Sequence, residues 1–337
     1  MSASASSSTR PDPTREPSFA FIGSEHVYIA ALDRLSERAR LIKPLKKSDT
    51  GMSGHEVAMS PDGRHVAFYR SHPNTLAWNR RCLDGSIPYL KAVDERPLCN
   101  DLMIMRTDGT GLRVLATNAS GGATFSPDGK RVVYVDQRCA MYVSVGRDSS
   151  LKTGPQSCGY FMLGLSVVDT DGSNRRILLR PKRHWLVEPD WSPDGKLIVF
   201  GRWPIDEMGG DMERSELWIM QADGSRPRFL TRSKCRGISE PRFSPDSGHV
   251  AFNAEDVCMM LAMGLVDVDG RNRRSTTGPI FAGGWASPKE PIVQVGQGKG
   301  WVLARWNIDR GADVIPVIPN SFFPELVTTS IVSRISG

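Results

Sequence analysis

Apolar residues in this chain fall in short runs bounded by turn residues. Val66-Ala67-Phe68-Tyr69, Val132-Val133-Tyr134-Val135, Leu197-Ile198-Val199-Phe200 and His249-Val250-Ala251-Phe252 are four of them. Each follows a Ser-Pro-Asp turn. Three turns are alike: Ser60-Pro61-Asp62-Gly63, Ser126-Pro127-Asp128-Gly129 and Ser192-Pro193-Asp194-Gly195. Ser244-Pro245-Asp246-Ser247-Gly248 reads as the same turn with one extra residue. β-Branched and aromatic runs between Pro, Gly and Asp predict strands joined as hairpins, and a unit that recurs along the chain predicts a repeat architecture.

A second turn alternates with the first: Asp108-Gly109, Asp171-Gly172, Asp223-Gly224, Asp269-Gly270 and the degenerate Asp309-Arg310-Gly311. Asp-Gly between apolar runs is a strong hairpin signal because Gly accepts positive φ. From each Asp-Gly to the next Ser-Pro the spacing is 18 or 21 residues, whereas from Ser-Pro to Asp-Gly it varies from 22 to 48. Each unit therefore holds four strands, A to D, with every insertion in the B–C loop. Five units begin at Ser60, Ser126, Ser192, Ser244 and Ser287. A sixth is assembled from both ends: Phe19–Ile22, His26–Ala31 and Leu41-Ile42 supply strands B, C and D, and the segment from Glu325 to Val332 supplies A. Such pairing removes open sheet edges. The expected fold is an all-β, six-bladed propeller over residues 19–337, closed by its N-terminal strands plus a C-terminal strand; an open array of five units is the alternative.

Asp190-Trp191-Ser192-Pro193-Asp194-Gly195-Lys196-Leu197-Ile198-Val199-Phe200, followed by Ile219-Met220-Gln221-Ala222-Asp223-Gly224-Ser225, resembles the TolB-type β-propeller repeat. The resemblance spans roughly residues 19 to 332 and implies the fold. Propellers of this type occur as protein-binding modules, as accessory domains of peptidases and as polysaccharide lyases, so the resemblance does not choose a function.

Residues 1–18 are rich in Ser, Ala and Pro without apolar periodicity and read as a disordered tether. They carry no basic start followed by an apolar core. The longest apolar stretches, Phe161 to Val168 and Met259 to Val266, are far shorter than a membrane-spanning helix. Six cysteines change the picture. Cys82 and Cys99 lie in one B–C segment, Cys139 and Cys158 in the next, and Cys235 and Cys258 flank the fourth complete unit's first two strands. All six fall at the loop face, and the order favours disulfides 82–99, 139–158 and 235–258, each stapling a long insertion. Disulfides place the protein in an oxidising compartment, periplasmic, at the cell surface as a lipoprotein, or secreted, with its targeting segment absent from this chain.

The formal net charge is +6. Arg113, Arg175, Arg176, Arg226, Arg228, Arg271, Arg273 and Arg274 recur just past the Asp-Gly turns. They read as solvated turn chemistry, with a basic rim for a polyanion as the sharper alternative. No basic stripe interleaved with aromatics occurs, which argues against a nucleic-acid partner.

Site residues follow from the repeat. Four residues before each A-strand Ser stand Glu56, Gly122, Glu188, Glu240 and Gly283, and Glu325 holds the same place in the closing strand. Asp190 and Arg242 lie two residues further on, on the same side of the strand by period-two alternation. Carboxylates meeting at a channel mouth repel, so they need a partner. Three arrangements satisfy them: hydrogen bonds from backbone amides of the next blade; a hard cation such as Ca²⁺ on Glu56, Glu188, Glu240 and Glu325; or an acid/base pair. His184 beside Trp185 reads as a base next to a stacking platform, with Arg202 and Trp203 close by in the same blade. The Asp169 to Asn174 and Asp267 to Asn272 segments start like calcium loops but lack the twelfth-position Glu, and are read as turns. The expectation is a monomeric ligand-recognition module that binds an envelope or extracellular protein, peptide or glycan on its loop face. A lyase or hydrolase using the channel carboxylates or His184 is the alternative.

Overall fold

The computed structural model describes residues 18–23, 26–31, 40–44, 57–71, 100–139, 160–180, 184–206, 209–210, 215–257, 260–276, 280–297 and 300–318. Its strands form six antiparallel sheets. Sheet one is β1 (Ser18–Gly23), β2 (His26–Ala31) and β3 (Arg40–Pro44). Sheet two is β4 (Val57–Met59), β5 (His65–Ser71), β6 (Asn100–Arg106) and β7 (Arg113–Thr117); sheet three is β8 (Ala119–Phe125), β9 (Arg131–Cys139), β10 (Tyr160–Asp169) and β11 (Arg176–Leu179). Sheet four contains β12 (His184–Trp191), β13 (Leu197–Asp206), the short β14 (Gly209–Gly210), β15 (Glu216–Gln221) and β16 (Arg228–Arg232). Sheet five is β17 (Arg236–Phe243), β18 (His249–Val257), β19 (Met260–Asp267) and β20 (Arg274–Ser275); sheet six is β21 (Ile280–Ser287), β22 (Glu290–Gln297), β23 (Gly300–Asn307) and β24 (Gly311–Ile318). No helix occurs among the described residues.

The four-strand meander matches the expected unit. In sheets two to six the A–B and C–D turns lie at the same end of the sheet. First strands of successive sheets touch: β4 meets β8, β8 meets β12, β12 meets β17 and β17 meets β21. Alternating apolar positions pack face to face between sheets. Val133, Val135, Leu165 and Val167 of sheet three bury against Leu186, Ile198, Phe200 and Met220 of sheet four. Sheet one has three strands among the described residues; the segment assigned as its fourth, 325–332, lies outside them, as do Glu56, Glu325, Cys82, Cys99, Cys158 and Cys258.

Each Ser-Pro-Asp turn is built by its own side chains. The buried Ser hydroxyl donates to the Asp carboxylate at 2.5–2.6 Å. It accepts the backbone N–H five residues on at 2.8–3.0 Å. The same Asp oxygen accepts the N–H two residues on at 3.0–3.1 Å. The third residue past Ser is left-handed: Gly63, Gly129 and Gly195 at φ 68–77°, and Ser247 at φ 61°. The fourth turn therefore has no extra residue. Ser247 stands in the glycine slot, and Gly248 in the slot of Lys196. The Ser247 hydroxyl accepts the Asp194 N–H of the preceding sheet at 3.1 Å, which offsets part of the roughly 1–2 kcal/mol cost of that conformation.

The recurrent arginines join sheets. Arg113 of sheet two donates to the Thr170 carbonyl of sheet three. Arg176 donates to the Asp223 carbonyl of sheet four at 3.3 Å, Arg228 to Val268 of sheet five at 2.5 Å, and Arg274 to Ile308 of sheet six at 2.9 Å. One arginine from the outer strand of each of sheets two to five thus clamps the next sheet's second turn, so these four are exposed turn residues, as expected, that also act as joints. The two calcium-loop-like starts are turns, as expected: Asn174 donates to Asp169 and Asn272 to Asp267, each at 2.7 Å.

Candidate functional site

The position four residues before Ser126, Ser192, Ser244 and Ser287 is a β-bulge. The strand register shifts between Ser120 and Ala123, Val187 and Asp190, Ser239 and Arg242, and Phe281 and Gly284. In every case the residue at that position is left-handed: Gly122 at φ 95°, Glu188 at 50°, Glu240 at 53° and Gly283 at 82°. Period-two alternation is therefore interrupted at the point where the sequence reading relied on it. Sheets three and six meet the left-handed demand with Gly. Sheets four and five meet it with Glu, and strain of order 1–3 kcal/mol persists only where surroundings hold it.

Those surroundings are other sheets. Glu188 accepts the backbone N–H of Glu240. Asp190, 8% exposed, accepts the Phe243 N–H at 2.8 Å and a hydrogen bond from the Thr124 hydroxyl. Asn253 donates to Glu240 at 3.2 Å and to the Phe281 carbonyl at 2.9 Å, while its own oxygen accepts the Phe281 N–H at 2.8 Å. Trp285 donates to the Arg242 carbonyl at 3.3 Å. Polar side chains thus pin the inner strands of sheets three to six in sequence. Burial pushes the Glu188 and Asp190 carboxyls up, with Arg242 opposing in both. Burial and the neighbouring Glu188 charge push Glu240 up to about 7. Arg242 opposes the rise in all three carboxyl groups, and a proton on Glu240 removes its repulsion with Glu188. Among the described residues no three His, Cys, Asp or Glu side chains group as a metal set.

The second expected group comes together on sheet four, but in two halves. Trp185 lies directly opposite Trp203, their rings 6.5 Å apart and tilted by 40°. Trp203 donates to the Ile238 carbonyl at 3.1 Å, which places this pair on the side facing sheet five. His184 belongs to the other face. Its Nδ1 meets the Arg202 guanidinium at 3.2 Å. Neighbours along a strand point to opposite sides, so the expected base and its stacking platform are separated. Because Arg only donates, Nδ1 is the acceptor and the ring proton sits on Nε2. Burial, then the Arg202 charge, hold His184 below its ordinary value, with Glu216 opposing. The neutral imidazole, with its proton on Nε2, is thus the favoured form of His184.

Around Arg202, cross-strand register builds two rows that periodicity did not reveal. Leu186, Arg202, Glu216 and Arg232 form one; Phe200, Trp218 and Phe229 form the next. Arg202 stacks on Trp218 at 4.2 Å and Arg232 over Phe229 at 5.3 Å. Glu216 accepts the Trp218 N–H at 2.7 Å and pairs with Arg202 at 3.5 Å and Arg232 at 3.7 Å. Glu216 and Trp218 sit at ordinary strand spacing, but a register shift in β15–β16 separates Phe229 from Arg232 by three residues, so only the pairing partners expose the rows. Cys235, between β16 and β17, is disulfide-bonded. No helix among the described residues is long and apolar enough to cross a membrane.

This architecture has relatives of known structure. A nidogen/laminin complex matches with TM-score 0.57 and 12% identity over 89% of this chain and 93% of the other. TolB from Acinetobacter baumannii matches with TM-score 0.55 and 12% identity over 89% of this chain, which spans 63% of the TolB chain. An oligogalacturonate lyase in complex with manganese matches with TM-score 0.50 and 11% identity over 83% and 73%. The fold is a TolB-like β-propeller. No protein-family profile matches the chain, and no curated protein matches it in sequence.

Proposed function

We propose that this protein is a ligand-recognition module of the cell envelope or extracellular space. It binds a protein, peptide or glycan at the loop end of sheet four. The observation that carries the reading is the contrast between its two expected sites. Glu188, Asp190 and Glu240 are engaged by donors of the protein itself, whereas Trp185 and Trp203 remain part-exposed as a ring pair at the loop end. Aromatic rings beside fixed polar groups are the usual makings of a recognition surface. Six blades closed by residues 325–332 would give that surface a rigid ring. Disulfides 82–99, 139–158 and 235–258 would hold its long insertions, and the bonded Cys235 supports an exported protein.

The enzyme reading keeps one specific support: a Glu240 carboxyl near 7 beside Glu188 and Arg242 is suited to proton transfer at neutral pH. One experiment separates the two. Oligosaccharide and peptide arrays are probed with the wild type, Trp185→Ala and Glu188→Gln, and bound compounds are checked for cleavage by chromatography. Binding without turnover, at least tenfold weaker in Trp185→Ala and retained in Glu188→Gln, is expected. Cleavage that disappears in Glu188→Gln or Glu240→Gln would refute the recognition module in favour of a lyase or hydrolase.

A further inference from the structure

We infer that the exposed outer edge of sheet four, on its sheet-three side, docks an acidic, partly apolar segment of a partner protein, with Arg232 and Phe229 as its outer anchors. The inference rests on the recognition reading and adds a second surface, on the opposite side of sheet four from Trp185 and Trp203. In the charged row, two guanidinium groups share one carboxylate, Glu216. The outer end of that row is the open one: Arg202 and Glu216 are 25% and 20% exposed, Arg232 69%. At 3.7 Å the Arg232–Glu216 contact is too long for a hydrogen bond. It is an electrostatic pairing that leaves the Arg232 fork uncommitted to Glu216. Phe229 lies beneath that guanidinium and is 41% exposed.

The ring faces themselves decide against a sugar. Arg202 covers Trp218 and Arg232 covers Phe229, so what this side presents is guanidinium edge flanked by hydrocarbon. A guanidinium seated over a ring is partly positioned before binding, and its fork matches a carboxylate. The adjacent outer strand, β11, carries the same bias. A hollow of about 580 Å³ there is lined by Asp136, Arg175, Arg176, Ile177, Leu178 and Arg180. Its one carboxylate is paired with Arg175 at 3.2 Å, and Ile177 is 41% exposed. Leu178 and Leu179 of β11 pack in the same cluster as Trp218. Positive charge in excess on both strands, each with one exposed apolar residue, complements a chain segment that alternates carboxylates with apolar side chains.

The test uses the full chain and a fluorescein-labelled synthetic peptide alternating Glu and Leu, with its Gln counterpart, read by anisotropy. The Glu peptide is expected to bind at least tenfold tighter than the Gln peptide, and to weaken as salt is raised. Arg232→Glu should lose at least tenfold, and Arg232→Lys less. Glu216→Gln should bind the Glu peptide severalfold more tightly, because it removes the competing carboxylate; a purely structural Glu216 would give weaker binding instead. Equal affinity for both peptides would overturn the inference. So would an equal loss in Arg310→Glu, which alters an exposed charge on sheet six. Capture of the peptide that depends on Trp185 but not on Arg232 would also overturn it while leaving the recognition reading in place. If Arg232→Glu instead abolished binding of heparin and no peptide bound, the partner would be a glycan and the inference would be wrong.

Discussion

Replacing Glu240 by Gln tests the reading of the inner-strand cluster directly. The Glu240 carboxyl is pushed up to about 7 by burial and by the charge of Glu188, from an ordinary 4.5. Between these two values the folded protein holds a proton that the unfolded chain has released. Stability from this group is therefore fully present below about 4.5 and lost as pH rises through about 7. At about 1.4 kcal/mol for each pH unit, the ionised Glu240 costs the native state at most about 3 kcal/mol above neutrality. Gln cannot ionise, yet its carbonyl still accepts the Asn253 amide. Urea denaturation at pH 5 and pH 8 should show the Glu240→Gln variant and wild type within about 1 kcal/mol of each other at the lower pH. At the higher pH the variant should be more stable by up to about 3 kcal/mol. Glu188, also raised by burial, leaves the variant a shallower slope of the same sign. Parallel pH profiles, or a variant weaker than wild type at both pH values, would refute the protonated Glu240.

Other consequences are more local. Gly224→Ala puts a Cβ 2.6 Å from the Leu178 carbonyl oxygen of the preceding sheet at φ +92°, and should cost about 2 kcal/mol or more; Gly248→Ala, where the contact is 3.4 Å to a side chain, should be far milder by the same denaturation assay. Ser192→Ala removes a buried hydroxyl that holds Asp194 and the Leu197 N–H, and should lower stability by about 2 kcal/mol. Arg274→Ala breaks the joint to the Ile308 carbonyl for about 1 kcal/mol, by an amount that changes little with salt because the acceptor is neutral. By NMR, His184 should titrate below 6.5 and move upward in Arg202→Ala, since the Arg202 charge is one cause of the depression.

Much of the scaffold was readable because its turns signal themselves. Ser-Pro-Asp and Asp-Gly mark where strands end, and β2 spans the same His26–Ala31 read from the apolar run. The bulge was half readable: Gly122, Glu188, Glu240 and Gly283 stood in one column, but a column does not say that the backbone is left-handed there. Alternation then misled, because an inserted residue resets which side follows. Ser247 misled for the opposite reason. A Ser in a glycine slot looks like an insertion unless the contact that stabilises it, the Asp194 N–H, is known. The arginines repeated plainly, yet their acceptors are main-chain oxygens in the following sheet, which leave no mark on composition. His184 and Trp185 are adjacent in the chain and apart in space, a distinction settled only by cross-strand partners Arg202 and Trp203.

The arginine joints carry a wider implication for how such a molecule can diverge. In each coupling the receiving half is a carbonyl, which every amino acid supplies. Only the donor has to be specified by a codon. A duplicated module arrives already equipped to be gripped by its predecessor and needs a single side chain to grip its successor. Turn sequences can then drift a long way apart while the assembly stays coupled.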